Sequence, residues 1–157
     1  MNNSLSVLSD SLDMKLDLMD KIMACTNSQK EILEAGMQDP DEYDRIVDEK
    51  DVMVDKLISL DDGFEQLYND ISEQLKDNRE KYSAQIRTLQ DKISRITELN
   101  ASIQAQEARN KKMIDEYFAR EKQGIKQSRV SSKAAYDYYR NMSGMNLQTS
   151  DMWDSKN

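Results

Sequence analysis

From Phe64 to Gln123 the chain contains neither glycine nor proline, and its apolar residues return at alternating steps of three and four. That spacing places them on one stripe of an α-helix, whereas a strand would need alternation by two. Breakers are sparse elsewhere too, with Pro40 as the single proline and four glycines in 157 residues. One third of the residues are charged and 38% are hydrophobic, few of them aromatic. Such a composition suits long helices with solvated outer faces, and it lacks the proline and serine excess of a disordered chain. The expectation is one all-α domain.

The local signals divide the chain into helices. Leu5, Leu8, Leu12, Leu16, Met19, Ile22 or Met23, Thr26 and Leu33 form a first stripe, which Gly36 closes as a C-terminal cap. Asp39-Pro40-Asp41-Glu42 then reads as an N-cap, a first-turn proline and the far half of a capping box. From there the seam runs Tyr43, Ile46, Lys50, Met53 or Val54, Leu57, Asp61, Phe64, Leu67 or Tyr68, Ile71 and Leu75, then Asn78, Tyr82, Ile86, Leu89, Ile93, Ile96, Leu99 and Ile103. An unbroken helix over the whole stretch would exceed ~120 Å at 1.5 Å per residue, so the chain is expected to reverse. The polar Lys76-Asp77-Asn78-Arg79 is where it does so.

These boundaries predict an elongated antiparallel three-helix bundle or coiled coil, with helices at about 4–36, 40–76 and 79–123. A short fourth helix near 128–142 follows Gly124, with Ser128, Ser131 and Ser132 as candidate caps. It carries Tyr136, Tyr138 and Tyr139. Residues 1–143 are read as one helical domain and 144–157 as a flexible, frayed tail. Around Asn100, Glu107 and Asn110 the third seam turns polar, as expected where register is fixed at some cost in stability.

Chemistry is mostly excluded. With no histidine and the single Cys25, the chain lacks the commonest general base and the ligand sets of zinc sites. Asp10, Asp13, Asp17 and Asp20 share a face opposite the apolar stripe and read as solvated carboxylates. Asp39, Asp41 and Asp44 lack the frame of a calcium loop, and no phosphate loop or nucleophile elbow is present. No enzyme activity, cofactor or metal is expected. The polar, acidic start of the sequence is not a secretory signal, and no run approaches the ~20 apolar residues of a membrane span. A cytoplasmic binding protein is the reading, with no membrane insertion.

Charge is unevenly divided. Residues 1–78 carry a net −13 and residues 79–157 a net +5. The distribution fits acidic helices folded back on a basic one better than a basic tail, and no nucleic-acid partner is expected.

The order of elements, with Glu49-Lys50 before Leu57 and Leu60, Leu99-Asn100 followed by Arg109 to Ile114, and a terminal Tyr139–Gly144 element, resembles the flagellar export chaperones of the FlgN and FliT type. The likeness covers roughly residues 5–144. It implies a chaperone that binds helical C-terminal segments of hook-associated or filament-cap proteins, keeps them export-competent and delivers them to the export apparatus. The cargo site is then expected at Met113, Ile114, Tyr117, Phe118, Ile125, Val130, Tyr138 and Tyr139. Lys126 to Lys133 is more basic and serine-rich than the resemblance leads one to expect, and the Trp153 tail is extra. The alternative is a structural or adaptor coiled coil that forms a homodimer through the same seams. A third reading takes Arg109, Lys111, Lys112, Arg120, Lys122, Lys126 and Arg129 as an anion-binding face.

Overall fold

The computed structural model describes residues 2–121 and 131–142. Its long elements are α1 (Asn2–Glu34), α2 (Pro40–Asp77) and α3 (Ser83–Glu121). A shorter helix, α4, covers 133–142. No strand occurs among the described residues, so the all-α bundle expected from the period is what forms. The helical segment expected at 122–123, the first residues of the segment expected at 128–142, and the 144–157 tail lie outside the described residues.

Each expected stripe is the buried one. Leu5, Leu8, Leu12, Leu16, Met19, Ile22 and Thr26 face inward on α1, and Val54, Leu57, Tyr68, Ile71 and Leu75 do so on α2. Leu89, Ile93, Ile96 and Ile103 complete the main core from α3. A second, smaller cluster joins Leu33, Met37, Tyr43 and Ile114 at the end where α1 turns into α2.

That turn is built from hydrogen bonds the local sequence supplies. Gly36 takes φ +92°, the left-handed region that a residue without Cβ enters without penalty. Met37 N–H then donates to the Ile32 carbonyl at 2.9 Å and Gly36 N–H to that of Leu33 at 3.1 Å, the paired bonds of a Schellman cap. Met37, at φ 57°, buries its side chain beside Ile32. Three residues on, Asp39 Oδ1 accepts the Glu42 N–H at 3.2 Å and Pro40 opens α2. A Cβ at Gly36 would meet nothing within 4 Å, so Gly36→Ala carries the backbone cost alone. Gly36→Ala and Asp39→Ala are each expected to cost about 1 kcal/mol. Urea unfolding measures both, and an unchanged midpoint for Asp39→Ala would mean that the cap bond contributes nothing.

The chain reverses again at 78–82, where expected. Asn78 caps α2, its N–H donating to the Leu75 carbonyl at 3.2 Å and its Nδ2 to that of Gln74 at 2.9 Å. Tyr82, 6% exposed, pins the turn to the core, and α3 begins one residue later, four residues beyond the expected start.

Long-range bonds fix the directions. Lys92 Nζ on α3 meets Ser9 Oγ of α1 at 2.6 Å, and Asn110 Nδ2 meets the Thr26 carbonyl at 2.9 Å, so α1 and α3 run parallel. Lys15 pairs with Asp61 and Gln29 with Lys50, so α2 runs antiparallel to α1. Helix α1 packs against both neighbours, whereas no Cα of α2 comes within 8 Å of one in α3. Helix α4 reaches across that gap, with Tyr138 bonded to Asp61 of α2 and the Tyr139 carbonyl to Asn100 of α3.

Folding brings the two charge halves together only in part. Lys92 of α3 bridges to Asp13 of α1 at 2.9 Å, but the most buried ion pair joins a lysine from the acidic half, Lys50, to Glu107 of the basic half. Asp10, Asp20, Asp48 and Asp55 stay on exposed outer faces.

Candidate functional site: a polar seat for the terminal helix

A layer of buried polar side chains separates the two apolar clusters. Lys50, 0% exposed, bonds Gln29 Oε1 at 2.9 Å and forms an ion pair with Glu107, 1% exposed. Ser131 Oγ, just ahead of α4, donates to the same Glu107 oxygen. Along α3 the layer continues as Gln106 Nε2 donating to Asn110 Oδ1 at 2.8 Å, with Arg109 forked onto Gln106 Oε1. Burial pushes the Lys50 ammonium below its ordinary value, an effect the Glu107 carboxylate opposes. In low dielectric such a pair is geometrically demanding, which suits a register-setting role.

A second polar station lies one α4 face further along. Asp61 takes Lys15 Nζ on Oδ1 at 2.8 Å and the Tyr138 hydroxyl on Oδ2 at 2.7 Å. Lys15 Nζ also sits 5.8 Å from the centre of the Tyr138 ring, within cation–π range. Asn100 Nδ2 and Gln104 Nε2 both donate to the Tyr139 carbonyl, at 3.3 and 3.4 Å. Helix α4 opens on Ser132, whose Oγ accepts the Ala135 N–H at 3.1 Å. Ala135, Tyr138, Tyr139 and Met142 are buried, with the two tyrosine rings edge-to-face at 6.2 Å. The terminal helix therefore occupies an apolar slot edged by polar anchors from α1, α2 and α3.

The expected site residues fall into two groups. Met113, Ile114, Tyr117 and Phe118 lie on the last turns of α3, in the small cluster with Leu33, Met37 and Tyr43. Tyr138 and Tyr139 belong to the main core on the other side of the Lys50–Glu107 layer. Ile125 and Val130 lie outside the described residues. Asp61, Asn100, Gln104 and Ser131, which hold α4, are additions to the expected set. The signal in the sequence is a polar residue at an apolar seam position, plain for Asp61 and Asn100 and absent for Gln104 and Ser131. Of the basic face, Lys111 pairs with Asp115 and Arg109 with Gln106, Lys112 and Arg120 are exposed on α3, and Lys122, Lys126 and Arg129 lie outside the described residues.

Burial raises the hydroxyl pKa of Tyr43, Tyr138 and Tyr139, and of Tyr136 to about 12. The charge of Asp61 adds to burial at Tyr138, and that of Glu107 at Tyr139. A tyrosine raised in the folded state contributes stability that is full below the unfolded value of about 10 and is lost as pH rises toward the folded value. Lys15 and Lys50, lowered chiefly by burial, act oppositely, adding stability as pH climbs toward their unfolded value. With tyrosines in the majority, unfolding free energy is expected to decline above about pH 10, and Tyr139→Phe to flatten the decline. A free energy still rising at about pH 11 would mean that the lysines dominate.

Long helices in up-down-up order, a buried polar layer and a short helix seated by its tyrosines define a helical bundle that holds a helix of its own chain between α2 and α3. Among the described residues there is no group of side chains that could hold a metal ion, and no helix is long and apolar enough to cross a membrane. The family model described as FlgN protein matches residues 1–142, so the chain belongs to the FlgN family and is a flagellar export chaperone, as the resemblance implied. That family is not known as enzymatic, and its members bind flagellar export substrates. No curated protein and no solved structure matches the chain significantly.

Proposed function

We propose that this chaperone acts in the cytoplasm, binding the helical C-terminal segments of hook-associated or filament-cap proteins, keeping them export-competent and passing them to the export apparatus. Cargo is received where α4 now lies and along the last turns of α3, with Met113, Ile114, Tyr117, Phe118, Ile125, Val130, Tyr138 and Tyr139 as contact residues. The observation that carries this reading is the seat itself. An apolar slot between α2 and α3 is already filled by a helix and edged by side chains that donate to, or accept from, that helix. Such a slot meets the needs of an amphipathic cargo helix, which must bury an apolar face to offset its own ordering entropy.

Tyr138 and Tyr139 face the core, so cargo contact requires α4 to swing outward with them and close again over the incoming helix. Isothermal titration with C-terminal peptides of hook-associated and filament-cap proteins tests the reading. Saturable binding to the wild-type chain, lost from a chain ending at Ser128, supports it; equal affinity for both chains places cargo elsewhere.

A further inference from the structure

The bundle has a second apolar surface that none of the α4 contacts uses. An open groove of about 920 Å³ runs between the outer faces of α1 and α2, floored by Met14, Leu18, Val52 and Leu60. Met14 is 54% exposed and Val52 56%, and Val7, two turns before Met14, is 54% exposed on the same α1 face. Leu18 also packs against the main core, so the exposed part of this surface is Val7, Met14 and Val52, apolar side chains beside an open groove where contact with a partner would bury them. Met14 is a flexible side chain of the kind that adapts to a partner's shape.

The rim says which partner. Asp13, Asp17 and Asp55 edge the groove against a single Lys56, within a half of the sequence whose net charge is −13. Folding leaves most of that surplus on the outside: Lys92 reaches Asp13 and Lys21 pairs with Asp17 at 3.1 Å on the surface, while Asp10, Asp20, Asp48 and Asp55 remain exposed. A second copy of the chain would bring two acidic faces together, and an anionic lipid surface would be repelled for the same reason. Residues 143–157 of the chain itself carry Asp151 and Asp154 against Lys156, the wrong sign. We propose that the α1/α2 groove docks a basic amphipathic helix of a partner protein, apolar on one face and flanked by lysine or arginine, at a site separate from the α4 seat. Apolar side chains of that helix fill the space over Met14 and Val52, and its basic flanks lie along Asp17 and Asp55.

The test is fluorescence anisotropy with a labelled helical peptide of about 18 residues, about five turns, carrying leucines at helical spacing and lysines beside them, together with its glutamate counterpart. The lysine peptide is expected to bind, and the glutamate peptide not to. Met14→Glu/Val52→Glu should weaken binding at least about tenfold with an unchanged circular-dichroism spectrum, because both side chains are exposed. Asp17→Lys/Asp55→Lys should weaken it comparably and flatten its salt dependence. A charge-matched control on α3, Asp91→Lys/Glu98→Lys, should retain affinity. The proposal is overturned if the control falls as far as the groove variants, if Met14→Glu/Val52→Glu leaves affinity unchanged, or if the glutamate peptide binds equally well. Sedimentation showing a dimer that Met14→Glu/Val52→Glu dissociates would overturn it in favour of a second copy.

Discussion

Lys50→Met should lower the unfolding free energy by about 3–5 kcal/mol, because it leaves the Glu107 carboxylate buried without its counter-charge. Lys50 and Glu107 are 0% and 1% exposed, so water cannot take over the missing interaction. Glu107 Oε2 already has no hydrogen-bond partner among the described residues, which leaves the carboxylate more dependent on what reaches Oε1. Ser131 shares that oxygen, so the loss should spread to the docking of α4. Lys50→Met/Glu107→Leu removes both charges at similar volume and should recover most of the stability, since a dry pair dispenses with two desolvation penalties. Urea unfolding of the two singles and the double gives the coupling directly. A Lys50→Met chain as stable as wild type would show that the pair is not desolvated in solution.

How that pair was legible, and how it was not, illustrates what a periodic sequence can convey. Lys50 and Asp61 stand at seam positions of α2, and Asn100, Glu107 and Asn110 at seam positions of α3, so the 3.6-residue period alone puts them inside. Period fixes which face is buried, and Pro40 and Gly36 fix where the helices break. It does not say which seam residue meets which, because partner choice depends on how far one helix slides along another. The period accordingly does not single out Gln29 and Lys15, although they complete the two polar stations. The location of the tyrosines was open for the same reason. A helix of ten residues after a serine-rich connection has no seam long enough to declare its neighbour, and only the three-dimensional gap between α2 and α3 shows where it sits. Met14 shows the converse limit: it lies near the α1 stripe in sequence, yet its side chain points to the outer groove.

Tyr138→Ala/Tyr139→Ala should weaken cargo binding by at least about 1 kcal/mol, the usual threshold for a contributing interface residue, or roughly fivefold in Kd. The structural cost is separate and larger. Truncating a buried aromatic ring typically costs about 3–5 kcal/mol, and here it also removes the bond from Tyr138 to Asp61. Because α4 follows the three long helices and meets them through one seat, that cost should appear as local undocking. Hydrogen exchange is therefore expected to show residues 133–142 losing protection while α1, α2 and α3 keep theirs. Tyr138→Phe separates the two effects, since it keeps the ring for cargo and deletes only the hydroxyl that Asp61 accepts. Its affinity should stay within twofold of wild type, about 0.4 kcal/mol, while α4 exchanges faster. The sign of the double variant's effect decides what the helix does. Weaker binding means that the tyrosines touch cargo, whereas tighter binding would mean that α4 competes with cargo for the slot and that its tyrosines serve only to hold it closed.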